Sequence, residues 1–300
     1  MNKFYLACDE SGRLGYVDKK TNKCGEISVV AGIIMDDTSF HNFANEVDLI
    51  VAKYQSVTKS SKFHITDFEP EVAASVRNAI FNLIKDFEYP LVYGAQYYSA
   101  FARIYQEQKE AEDTVIRVQK ERGRTVSYPM GHIKKLSQAE CFYSSYTKAA
   151  CFIADLTQEP FRFRVLTDEI DNKTLENYEK QIARLHAPNV KKPLLGKRFI
   201  HSTKNLETFS VSSSLKIDSP ITDLLKNSSG TISKDQAVHS IVADVIANSV
   251  NYYLEQYAAK SNFHHLNIQE AIAEHPLALQ FVSLGIESTF TDKLYYHTGT

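Results

Sequence analysis

Phe4-Tyr5-Leu6-Ala7-Cys8-Asp9-Glu10-Ser11-Gly12 is an apolar run that ends in two carboxylates and a turn. It reads as a buried strand whose last side chains project into a cleft at the carboxyl edge of a sheet. Carboxylates on a rigid strand end suit Mg²⁺ or Mn²⁺, which take hard oxygen ligands in fixed geometry. The same residues also make an ordinary solvated turn. The choice between these readings rests on whether acidic strand ends recur downstream.

Working outward, residues 27–35 read as a second strand, close enough to the first to predict an antiparallel hairpin. Helical spacing over 39–54 is followed by Pro70, which suits the first turn of a helix reaching residue 87. Residues 91–98 read as a third strand, aromatic and β-branched. The stretch 107–135 is densely charged and reads as an excursion. A helix over 139–156, a strand over 161–168 and a helix over 174–185 come next. One or two short strands fall in 197–213, and a Ser/Asn/Gly loop then precedes a long helix over 234–257. A last helix is predicted over 267–279. A hairpin followed by strands separated by helices predicts an α/β fold with a mixed sheet. The first connection is too short for a helical crossover, which argues against a purely doubly wound sheet. No Walker A loop, GxGxxG, GxSxG or zinc-like Cys/His spacing occurs.

The second acidic strand end is Val165-Leu166-Thr167-Asp168-Glu169-Ile170-Asp171. Side chains alternate along a strand, so Asp9 and Asp168 are the natural pair, with Glu10 and Glu169 turned to the other side as secondary candidates. Asp168 suits a helix cap equally well. On the long helix, Gln236, Ser240, Asp244, Asn248 and Asn251 recur at three- and four-residue steps. That stripe is either a solvated face or a polar edge bringing Asp244 toward Asp9 and Asp168. Three converging carboxylates raise one another's pKa, a repulsion that a divalent ion removes. In Lys62-Phe63-His64-Ile65-Thr66-Asp67, His64 is a candidate acid, base or ligand and Asp67 a candidate ligand, the latter equally suited to capping the Pro70 helix.

Three hundred residues with 43% apolar content predict a folded chain of one large or two ordinary domains, and a net charge of −2 argues against a general nucleic-acid coat protein. Local phosphate contacts remain compatible: Arg117, Lys120, Arg122, Arg124, Lys134 and Lys135 cluster around Tyr128 and His132. Interleaved Glu107, Glu110, Glu112, Asp113 and Glu121 give that stretch the make-up of a solvated helix as well. Four dispersed cysteines and the lack of a signal-peptide pattern or a bilayer-length apolar run predict a soluble protein in a reducing, cytoplasmic setting.

The Asp9-Glu10-Ser11-Gly12 strand end, the Val29-Val30-Ala31-Gly32 strand, the His64 to Asp67 element, Thr167-Asp168-Glu169 and Ala243-Asp244 together resemble the DUF3800 family. That family is similar to the ribonuclease H-like nuclease and integrase superfamily. The resemblance covers about residues 3–258 and departs from the family's late motif at Ile241, where a Gln is common. It implies a single ribonuclease H-like domain over 1–300, with helices on both faces of a mixed sheet. A charged helical excursion at about 100–135 and a C-terminal helical extension at about 258–300 complete the expected organisation. The expected activity is a nuclease using Mg²⁺ or Mn²⁺, with Asp9, Asp168, Asp244 and His64 catalytic. Glu10, Asp67 and Glu169 are the further ligands. A non-catalytic interaction module with an incomplete acidic site, and a metal phosphatase or nucleotide hydrolase, are the alternatives.

Overall fold

The computed structural model describes residues 1–12, 27–55, 64–126, 133–168, 170–186, 194–200, 202–211, 220–234, 238–260, 265–267, 272–282 and 293–295. In chain order these form β1 (Asn2–Gly12), β2 (Ile27–Asp36), α1 (Phe40–Gln55), α2 (Pro70–Asp86), β3 (Leu91–Tyr97), α3 (Tyr98–Glu121), β4 (Arg124–Val126) and α4 (Ile133–Thr157). There follow β5 (Phe161–Thr167), α5 (Asn172–His186), β6 (Leu194–Ile200), β7 (Asn205–Val211), α6 (Pro220–Asn227), β8 (Ser229–Lys234), α7 (Val238–Lys260), β9 (His265–Asn267) and β10 (Lys293–Tyr295).

The apolar run at the start becomes the centre of a five-stranded mixed sheet ordered β3-β2-β1-β5-β8. β1 pairs antiparallel with β2 and parallel with β5, so the hairpin and the crossover portion of the sheet meet at this one strand. The strand does not end at Asp9. Its pairing with β5 stops at Cys8↔Thr167, while its pairing with β2 continues to Gly12↔Ser28. Asp9 therefore sits where β1 overruns its parallel neighbour, and the chain leaves the strand at Gly12 with φ +83°, a conformation that suits Gly.

Alternation sorts the strands into two cores. Ala7, Val29, Ala31, Ile33 and Met35 face one layer with α1, α2 and α7; Leu6, Cys8, Val30, Phe163 and Val165 face another with α4, α5 and α6. α7 is buried on nearly every side through Val242–Ala247, as expected of a helix apolar around its circumference.

Two expectations change. Residues 229–234, read as loop because of Ser228, Ser229 and Gly230, form the parallel edge strand β8, and α7 begins only after it. The predicted helix over 267–279 is replaced by β9, a buried turn at Ile272, His275 and Leu277, and a short 3₁₀ helix, Ala278–Gln280. Phe281 then bridges Leu91, so this segment borders β3. The charged stretch is α3, which leads through β4 into a separate three-stranded sheet, β4-β6-β7. No helix among the described residues is long and apolar enough to cross a membrane.

Candidate active site

Three elements bring carboxylates to one end of the sheet on the α7 face. Asp9 follows Ala7 on that face of β1; Asp168 directly follows Thr167, one position beyond the end of the β1–β5 pairing. Asp244 comes from α7, which packs across β1 and β2. The polar stripe on α7 is not its solvated side: Asp244 is buried, and Ser11 Oγ donates to Asn248 Oδ1 at 3.3 Å. Asn248 Nδ2 in turn donates to Asp244 Oδ1 at 2.5 Å, tying the helix stripe to the strand end.

The segment before α2 closes the site from above. Ile65 N–H donates to Asp244 Oδ2 at 2.9 Å, and His64 Nδ1 stands 3.9 Å from the same oxygen. Asp67 lies in the 3₁₀ turn Ile65–Asp67, and its charge reaches Asp244. It does not cap α2: Glu69 occupies that position without a side-chain cap bond.

Electrostatics records the crowding. Burial pushes the Asp9 carboxyl up to about 7, against the pull of the Glu10 N–H, with the charges of Asp244, Glu10 and Asp168 adding to the rise. Burial also raises Asp244, opposed by the Ile65 N–H and His64 and assisted by Asp168 and Asp67. Among the described residues no Lys or Arg forms an ion pair with Asp9, Asp168 or Asp244. Nor do three His, Cys, Asp or Glu side chains there already stand as a group that could hold a metal ion. The carboxylates are neighbours through their fields, with Asp244 held by hydrogen bonds to both oxygens.

Not every candidate joins them. Glu10 points to the opposite face, where the buried Tyr178 hydroxyl donates to its Oε1 in a short hydrogen bond. As a ligand beside Asp9 it is corrected by simple alternation. Glu169 lies outside the described residues, as does the side chain of Lys134. Arg117, Lys120 and Arg122 are exposed at the end of α3, and Arg124 belongs to β4, outside the central sheet. Lys135 instead approaches Asp171 Oδ1 at 3.8 Å.

The capping role considered for Asp168 belongs to Asp171. Its Oδ1 accepts the N–H groups of Lys173 at 2.9 Å and Thr174 at 3.1 Å, the first turn of α5. Asp171→Ala is expected to lower stability by about 1 kcal/mol, measured as a shift in urea midpoint at constant slope. Asp168 is thereby released from helix capping.

The Ile65 amide, unremarked in the sequence, orients Asp244 together with Asn248, which Ser11 contacts in turn, and Arg164 and Arg162 stand four and six positions back along the chain from Asp168. The Phe-Arg-Phe-Arg alternation was the available signal for the last two, because it marks a strand with one face buried and one face wet. In comparisons with known proteins, no family model, no curated protein and no solved structure matches this chain.

Proposed function

We propose that the chain is a divalent-metal-dependent phosphodiesterase, acting as a nuclease on DNA or RNA, built on a ribonuclease H-like α/β fold of the DUF3800 kind. One observation carries the reading: Asp9, Asp168 and Asp244 arrive from separate elements at one sheet end, Asp244 buried and the other two half-buried, without a Lys or Arg partner among the described residues. Carboxylates in that state are under-compensated, and their oxygens are the donors that Mg²⁺ and Mn²⁺ prefer. A mixed sheet flanked by helices, with acidic residues at its edge, is also what the family resemblance implies.

A bound divalent ion supplies an acidified water and positive charge for the phosphoryl oxygens. Asp9, Asp168 and Asp244 would hold it, with Asp67 at the rim. Ser11 and Asn248 fix the orientation of Asp244, while burial against α7 limits the water around Asp9. His64, partly open to solvent beside Asp244, is placed to pass a proton to a departing alkoxide.

Calorimetric titration with Mn²⁺ tests the site. Binding in the sub-millimolar range is expected for the wild type and loss of it for Asp168→Asn. Cleavage of labelled oligonucleotides should fall by about two orders of magnitude or more in the same variant. No binding at millimolar Mn²⁺, or cleavage equal to wild type in Asp168→Asn, overturns the reading.

The absence of a ready-made three-ligand group among the described residues favours a second reading, a non-catalytic module whose Asp244 serves to anchor α7 to the 65–67 turn. On that reading Mn²⁺ does not bind, and Asp244→Asn affects stability alone.

A further inference from the structure

The two faces of the sheet are not covered alike. On one, α4 lies over β3 and β2 and α5 over β8. On the other, α7 covers β1 and β2 closely but barely touches β5, and no described helix packs against β8 there. What the strands present on this open area is polar and basic. β5 follows a buried-exposed alternation in which Phe161 and Phe163 are buried and Arg162 and Arg164 are exposed. The register places Ser229 beside Arg162 and Thr231 beside Arg164, with Ser233 beside Leu166. Arg164 Nε donates to Ser233 Oγ at 3.1 Å, which fixes that side chain to the same face.

Neither arginine forms an ion pair among the described residues. The nearby carboxylate on this face, Asp37, is occupied at the far border by Lys3 at 3.5 Å and the Tyr5 hydroxyl at 2.7 Å. The open strip thus carries two guanidinium groups without an ion pair among the described residues, and a row of hydroxyl donors. Along β5 the strip meets Leu166, buried in the α7 layer, before the chain reaches Asp168.

We propose that this strip, Arg162 and Arg164 with Ser229, Thr231 and Ser233, binds the phosphodiester backbone of a nucleic-acid strand running along β5 toward the acidic site. This rests on the nuclease reading above and names the surface that holds its substrate. Charge complementarity selects the occupant. Guanidinium forks and hydroxyls on a flat extended face match a row of phosphate oxygens, whereas among the described residues no exposed large hydrophobic side chain lies on β5 or β8 to hold a protein partner. Residues two apart in a strand are about 6.6 Å apart, and Arg164 stands four positions from Asp168, roughly 13 Å. The strip reads no base, so it confers affinity and strand direction rather than sequence preference.

The test is binding of a fluorescently labelled 20-nucleotide DNA or RNA, single-stranded and duplex, by anisotropy in EDTA over a salt series. Compared with wild type, the Arg162→Gln/Arg164→Gln double variant should bind roughly tenfold more weakly at low salt. Its log K against log[salt] slope should be shallower by about two. The Arg162→Lys/Arg164→Lys variant keeps the charges and should recover most of the affinity, which separates phosphate contact from damage to the strand. Equal affinity and slope in the Gln variant, or no salt-dependent binding by the wild type, overturns the proposal. Because no metal takes part, that failure is distinct from failure of the acidic site, which would appear as intact binding without Mn²⁺-dependent cleavage.

Discussion

Asp9→Asn is expected to stabilise the metal-free protein at pH 8 by about 2–4 kcal/mol while abolishing its response to Mn²⁺. In the folded chain, burial raises the Asp9 carboxyl to about 7, first of all by removing water from the charged form. In the unfolded chain the same group ionises near pH 4. Between these values the native state binds more protons than the unfolded state, so stability falls as pH rises from about 4 to 7 and the full penalty is present above 7. Asn carries no such penalty. The gain over wild type should therefore be near zero at pH 4 and complete at pH 8, measured by urea unfolding at both values. Asp244, whose carboxyl is also raised, leaves a residual slope of the same sign in the variant. Mn²⁺ at a thousand times its Kd should reverse the ranking, since it stabilises the wild type by about 4.1 kcal/mol and has no effect on a variant that cannot bind it. A variant that is less stable than wild type at pH 8 would show that Asp9 has a favourable partner, contrary to the arrangement described here.

Gly94→Ala is expected to lower stability by about 3 kcal/mol, the upper range for overpacking. Gly94 lies in β3 opposite Val30 of β2, where α4 crosses the strand. A Cβ built there would lie 2.1 Å from the Cys141 carbonyl oxygen, 2.9 Å from Ser144 Cβ and 3.0 Å from the Cys141 carbonyl carbon. Two of these are backbone atoms of a helix, which cannot rotate aside. α4 would have to lift from the sheet, loosening the core around its own Phe142 and Tyr146, both fully buried. Urea unfolding should show a lower midpoint with an unchanged slope. Because the strain falls on the α4 face, Mn²⁺ affinity measured below the unfolding transition should change little. A loss under about 0.5 kcal/mol would mean that the helix accommodates the methyl group.

Much of the sheet was legible because its information is local. The hairpin followed from the short link between two apolar runs, and the separation of Asp9 from Glu10 followed from alternation alone. β8 was not legible: Ser228, Ser229 and Gly230 carry turn-like propensities, and Ser229 and Gly230 are held extended by pairing with β5, a partner more than sixty residues away in sequence. The predicted C-terminal helix failed for a related reason. Leu277 and the buried imidazole of His275 satisfy their contacts in a turn against Phe81, Tyr253 and Phe281, which outweighs the helical spacing.

For the acidic residues, the chain alone left Asp168 and Asp67 equally suited to capping. Asp171 takes the cap of α5, and α2 begins without a side-chain cap. The stripe on α7 could not be assigned to water or to the sheet until the helix was placed across β1.

The sequence by itself determined which residues share a face, because backbone geometry imposes periods of two and 3.6 on every strand and helix. It thereby set Asp9 apart from Glu10, put Arg162 beside Arg164, and aligned Asp244 with Asn248. Which of those faces is buried and which is open was decided only by tertiary structure, since strand order and helix placement depend on contacts between distant segments. The opening strand acquires its meaning that way: Asp9 is a candidate site residue because β5 ends beside it and α7 lies over it, two facts that no local pattern contains.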